Sequence, residues 1–174
     1  MRPRLTDSRI GGVISSIGGM LRRGGDNGRR PKTAVPERHR QAAPPDAAVD
    51  DVRFAYEPCL DGDPDPGEVV WAWVSYAEDP TMGKDRPVVI VGRAGAFLAA
   101  VALTTKGHDH PDNVLVGAGP WDPANRASWA KLDRIVRIDP VTMRREGAIL
   151  DKARFDAVIA ALRTHTRSEN GAAD

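Results

Sequence analysis

Everything from which this chain could build a core lies beyond Gly67. All four tryptophans, Trp71, Trp73, Trp121 and Trp129, stand there, together with every long β-branched run. The first 66 residues hold eight Gly and eight Pro, with Phe54 and Tyr56 as their only aromatics. A segment of that composition buries too little apolar area to offset its chain entropy. Residues 1–66 are therefore expected to be a disordered tail, 67–166 the folded domain, and 167–174 a disordered C-terminus. A length of 174 residues leaves room for one such domain and a tail, not for two full cores.

The formal net charge of +1 hides an asymmetry. Residues 1–40 carry ten Lys and Arg against three acids, residues 41–66 carry seven acids against Arg53, and the rest balances with 14 of each sign. Ile10, Val13, Ile14, Ile17, Met20 and Leu21 recur at helical spacing within the basic arm. Gly11, Gly12, Gly18 and Gly19 oppose a helix there by about 1 kcal/mol each relative to Ala, so a solvated arm is the expectation. The same glycines make a poor secretory signal. No apolar run approaches the roughly 20 residues that cross a bilayer. A cytoplasmic protein without stable membrane insertion is expected. The single cysteine, Cys59, excludes an intramolecular disulfide and a thiolate zinc cage built by one chain.

Beyond Gly67 the pattern is that of short strands. Glu68 to Val74 is rich in β-branched and aromatic residues. Ser75 to Arg86, with Pro80 and Gly83, reads as a polar loop, and Pro87 to Val91 as a second strand with proline at its tolerated first position. Ala96 to Leu103 follows a Gly-bearing turn at Gly92–Gly95, then a short strand at Val114–Val116, then an alternating segment from Trp129 to Ile138. The period then changes: Phe155, Val158, Ile159 and Leu162 form the stripe of an amphipathic helix, with Asp151 as its N-cap. The order predicts a mainly β (α+β) fold, a small, partly open barrel with one C-terminal helix packed on it.

Particular residues then match a known pattern. The run Gly67-Glu68-Val69-Val70-Trp71, the stretch Gly83-Lys84-Asp85-Arg86-Pro87-Val88-Val89-Ile90-Val91 and the strand end Ala102-Leu103-Thr104 resemble the PemK/MazF family. So does Leu132-Asp133-Arg134-Ile135-Val136-Arg137-Ile138-Asp139 before a closing helix. The resemblance implies a toxin of a type II toxin–antitoxin pair: an SH3-like barrel that dimerises and cleaves single-stranded RNA without a metal or other cofactor. It implies a cognate antitoxin as partner, and operator DNA only in complex with that antitoxin. The family's catalytic Arg falls on Arg86 and its catalytic Thr on Thr104. The Arg-x-Asp set of some members reads Lys131 and Asp133 here, and lysine lacks arginine's planar bidentate fork.

Metal-free RNA cleavage directs the substrate's own 2′-hydroxyl onto the adjacent phosphorus. Arg86, always charged and forked, suits the charge that builds on the phosphoryl oxygens, and Thr104 can hydrogen-bond the same phosphate. Asp133 is the candidate base, with Lys131 as its charge partner or as the acid. Lys84, His108 and Trp121 are candidate RNA contacts, the tryptophan through base stacking. Each has a plainer alternative: Asp133 could pair with Arg134 or Arg137 across the sheet, and Trp121 or Trp129 could fill the core. His108-Asp109-His110 with Asp112 lacks a third well-placed ligand, so no metal site is expected. Two other functions stay open: a barrel that binds nucleic acid or protein without cutting, and an interaction unit tethered by its tail.

Overall fold

The computed structural model describes residues 33–34, 44–59, 61–107, 110 and 112–171, all within one compact unit spanning Pro31–Asp174. Nine strands run β1 (Thr33–Ala34), β2 (Arg53–Phe54), β3 (Glu68–Ser75), β4 (Met82–Ala94), β5 (Phe97–Thr104), β6 (Asn113–Gly117), β7 (Ser128–Lys131), β8 (Val136–Ile138) and β9 (Arg144–Ile149), followed by α1 (Lys152–Gly171). They make one curled sheet in the order β6-β7-β5-β4-β3-β9, with β8 also on β5 and with β1 and β2 on β4. Every pairing is antiparallel. The expected half-open barrel with a closing helix is what the chain forms.

Alternation along the central strands produces two apolar faces. One carries Val69, Val89, Val91, Ala99, Val101 and Leu103 and is covered by Phe155, Val158, Ile159 and Leu162 of α1. The Asp151 carboxylate accepts from the Arg154 N–H at 3.0 Å, capping that helix as its sequence predicts. The other face carries Val70, Ala72, Val74, Val88, Ile90, Leu98, Ala100, Val136 and Ile138.

Four boundaries differ from the sequence reading. Half of residues 75–86 is ladder: β3 pairs with β4 from Val69↔Val89 to Ser75↔Gly83, leaving residues 76–81 as the connection. Gly83 makes this possible, because a Cβ there would stand 2.5 Å from the Val74 carbonyl oxygen. Pro87 thus lies inside a strand. Ile90 turns its carbonyl toward β3, accepting from Gly67, so Pro87, three residues away, turns its nitrogen toward β5. The β4–β5 ladder ends one residue earlier, at Val88↔Ala102, and β5 goes on to pair with β7 through Leu103↔Ala130 and Thr104↔Trp129. A residue without an N–H stands where the two strands part.

The alternating segment from Trp129 to Ile138 is two strands. Both β7 and β8 pair with β5, but residues 132–135 between them face only Val101 and Ala102. The surplus residues loop out and carry Asp133 to the surface, while Leu132 stays buried. The fold also begins before Gly67. Ala47 and Val52 are core residues, β2 pairs with β4, and the Tyr56 hydroxyl donates to the Leu150 carbonyl at 2.9 Å. Composition averaged over 66 residues conceals this strap, which adds its few apolar side chains to a core built elsewhere. At the other end α1 runs to Gly171, so residues 167–171 are helical and not disordered. The expectations for residues 1–32, 35–43 and 172–174 lie outside the described residues.

Candidate functional site

Four polar residues stand at one end of the second apolar face, each continuing a row of that face. In β3 the row Val70, Ala72, Val74 leads to Tyr76; in β4 the row Ile90, Val88 leads to Arg86. In β5 the row Leu98, Ala100, Ala102 leads to Thr104; in β8 the row Ile138, Val136 leads to Arg134. Because neighbouring strands are antiparallel, all four rows end on the same side of the sheet. They end where the β4–β5 ladder stops at Val88↔Ala102, and the parting of these two strands is the candidate cleft.

Arg86 is half-buried. Its burial lowers the pKa of the guanidinium from the ordinary value; Tyr76 and Asp133 act in the opposite direction, and the like charge of Arg134 adds to the lowering. Those interactions place Tyr76, Asp133 and Arg134 around it. Asp133 lies 2.8 Å from the Lys131 ammonium, with both side chains partly exposed. Arg134 is anchored twice: Nη2 donates to the Ser75 carbonyl at the end of β3, and Nη1 lies 3.3 Å from Asp46 of the strap. Thr104 is half-buried, and its Oγ1 accepts from the Lys106 N–H at 3.1 Å, which fixes the side chain at the end of β5.

Arg86, Asp133 and Lys131 are thus brought together, and Thr104 ends the neighbouring row. The cross-sheet partners weighed for Asp133 are otherwise engaged: Arg134 meets Asp46, and Arg137 meets Asp51 at 3.5 Å. Lys84 is exposed on β4, two residues before Arg86. Trp121, expected to stack on RNA, is buried. It is 2% exposed within the core, and its Nε1 donates to Ser128 Oγ at 3.1 Å, closing the loop that leads into β7. His108 and Asp109 lie outside the described residues. Among the described residues no three His, Cys, Asp or Glu side chains are grouped to hold a metal; His110 and Asp112 approach to 3.6 Å.

Sequence reasoning missed Tyr76, the site role of Arg134, and Asp46. The signal for the first two was available in the alternation itself, since each apolar row stops at a polar residue on the same side. Asp46 gave none, because it reaches the barrel from a segment 88 residues away in sequence.

A protein-family model described as "PemK-like, MazF-like toxin of type II toxin-antitoxin system" matches residues 65–166. Solved structures similar in fold include a MazE–MazF complex from Deinococcus radiodurans, at 17% identity and TM-score 0.44 over 60% of this chain and 95% of that one. An endoribonuclease from a mycobacterial species matches at 22% identity and TM-score 0.42, over 61% of this chain and 93% of the other. No curated protein matches.

Proposed function

Because the chain belongs to the PemK-like, MazF-like toxin family of type II toxin–antitoxin systems, we propose that it is an endoribonuclease acting on single-stranded RNA by 2′-hydroxyl attack. The observation that carries this reading is the convergence of Arg86, Arg134, Asp133 and Lys131 beside Thr104 at the mouth of one cleft.

Each step has a group suited to it. A phosphodiester entering the cleft meets Arg86, whose half-buried guanidinium is worth more than a solvated one because less water screens it. Thr104 Oγ1 hydrogen-bonds the same phosphate. Asp133 takes the 2′-hydroxyl proton, and the 2′-oxygen attacks phosphorus as the P–O5′ bond breaks. Lys131, beside Asp133, supplies the proton that the departing 5′-oxygen needs. The products are a 2′,3′-cyclic phosphate and a 5′-hydroxyl end. No step calls for a metal ion. A cognate antitoxin and a second copy of this chain are the partners that family membership suggests.

The test is incubation of the purified chain with mixed single-stranded RNA in EDTA, with DNA of the same sequence as control. RNA should be cut to cyclic-phosphate ends and DNA left whole, since DNA lacks the 2′-hydroxyl. Arg86→Ala should lower the rate about 10²–10³-fold while folding normally. Cleavage of the DNA, or activity abolished by EDTA, would overturn the mechanism.

A further inference from the structure

The strap that precedes the family-matched region is acidic, and it places a carboxylate on one of the two arginines of the cleft. Residues 41–66 carry seven acids and one arginine. Three of those acids meet barrel arginines: Asp46 with Arg134 at 3.3 Å, Asp51 with Arg137 at 3.5 Å, and Asp65 with Arg93 at 3.4 Å. The strap has backbone anchors as well. The Ala47 N–H donates to the Ile135 carbonyl at 2.8 Å, next to Arg134, and Ala55 N–H donates to Val91. Arg137 Nη1 donates to the Pro45 carbonyl at 3.3 Å. A second piece of the N-terminal chain, β1, pairs with β4 at Met82 and Gly83. Since β3 already holds one edge of Gly83, β1 lies on the edge that β5 leaves free, three residues from Arg86.

We propose that Asp46 is an internal stand-in for a substrate phosphate: it masks Arg134, which becomes a second phosphate-binding group when RNA displaces the Asp46 carboxylate. The proposal rests on the nucleic-acid reading of the cleft. The chemistry of the exchange is simple. Arg134 Nη2 is spent on the Ser75 carbonyl, which fixes the plane of the guanidinium, while Nη1 faces a carboxylate that is 42% exposed. A phosphodiester oxygen can take that place with the same charge and the same acceptor geometry. The Ala47–Ile135 backbone bond does not depend on the carboxylate, so Asp46 can swing aside while the strap stays docked. The device lowers affinity for stray anions and yields to a strand that engages Arg86 and Arg134 together.

The variant Asp46→Asn removes the charge and keeps the shape. Its affinity for a fluorescent, fully 2′-O-methylated RNA 12-mer, which cannot be cut, is measured beside the native full-length chain. With the competing carboxylate gone, binding should tighten about fivefold. Asp50→Asn, in the same strap and likewise exposed but not the acid that meets Arg134, should change it by less than about twofold, since a distant solvated charge is screened. Asp46→Glu should behave as the native chain does, which guards against a folding defect in the amide variant. In an Arg134→Ala background Asp46→Asn should have no effect. Unchanged or weaker binding by Asp46→Asn, or an equal gain from Asp50→Asn, would overturn the masking. The two readings fail separately. A native chain that cuts RNA while Asp46→Asn leaves probe affinity unchanged defeats only the masking. A chain that never cuts, yet shows Arg134-dependent tightening, defeats only the nuclease.

Discussion

Substituting Asp122 by Asn should weaken the fold in a way that pH reveals. Asp122 is 9% exposed. Its carboxylate accepts the Arg126 backbone N–H at 2.8 Å, Arg126 Nε at 2.9 Å and Arg126 Nη2 at 2.9 Å. The Arg126 side chain is the main reason the carboxyl is held down at about 2, from an ordinary value of 3.8. That difference corresponds to at most about 2 kcal/mol of stability. The Arg126 side chain is 62% exposed, so screening reduces the figure to about 1–2 kcal/mol. The folded-state pKa is depressed, so the unfolded chain takes up the proton first as pH falls. The contribution is complete above about pH 5, about half gone by pH 3 and lost as pH falls through about 2. Urea unfolding of the native chain and Asp122→Asn at pH 7 and pH 3 measures it. The variant should be about 1–2 kcal/mol less stable at pH 7 and about half that at pH 3. An equal gap at both pH values would refute the electrostatic origin and leave only shape or packing as the cause.

Trp121→Phe removes the donor to Ser128 together with part of a buried ring and should cost about 2–3 kcal/mol; RNA cleavage within about twofold of native would separate a core role from base stacking. Gly107→Ala would place a methyl 2.1 Å from Trp129 Cβ, so it should shift Trp129, opposite Thr104, and lower both melting temperature and turnover. Phe155→Ala should cost about 3–5 kcal/mol in thermal or urea unfolding, because Phe155 is 3% exposed and its ring lies 5.0 Å from that of Tyr56. A chain begun at Pro66 lacks Ala47, Val52 and the Tyr56–Leu150 hydrogen bond; it should melt well below the full chain, and equal melting would show that the strap adds no stability.

The closing helix and most strands were legible because their signals are local. The stripe Phe155, Val158, Ile159, Leu162 and the cap at Asp151 lie within a dozen residues, and all of them act as their spacing predicts. The break between β7 and β8 was not legible, since it depends on how many residues of β5 the segment must span. Pro87 misled for a related reason: proline marks a strand start when read alone, but here it marks the point where one neighbour leaves. The strap escaped because its apolar residues are few, and their value comes from a surface made by residues distant in sequence. In the site, Arg86 was found through a family resemblance, whereas Tyr76 and Arg134 were readable as the polar ends of apolar rows. Arg134 instead entered only as a possible ion-pair partner of Asp133.

The bond from Tyr56 to Leu150 and the tilted ring contact of Tyr56 with Phe155 also set when this molecule can become itself. Synthesis proceeds from the N-terminus, and domains fold as units as their chain emerges. Here the strap is made early, yet its anchors at Leu150 and Phe155 are among the last parts of the barrel to be made. Contacts of such long sequence separation close slowly, and none of them can form on a ribosome that has not yet released the helix. Asp46 and its partner Arg134 are both synthesised before the residues of α1 that complete the core. The order of synthesis thus puts both halves of that ion pair in place ahead of the helix that finishes the scaffold beneath them.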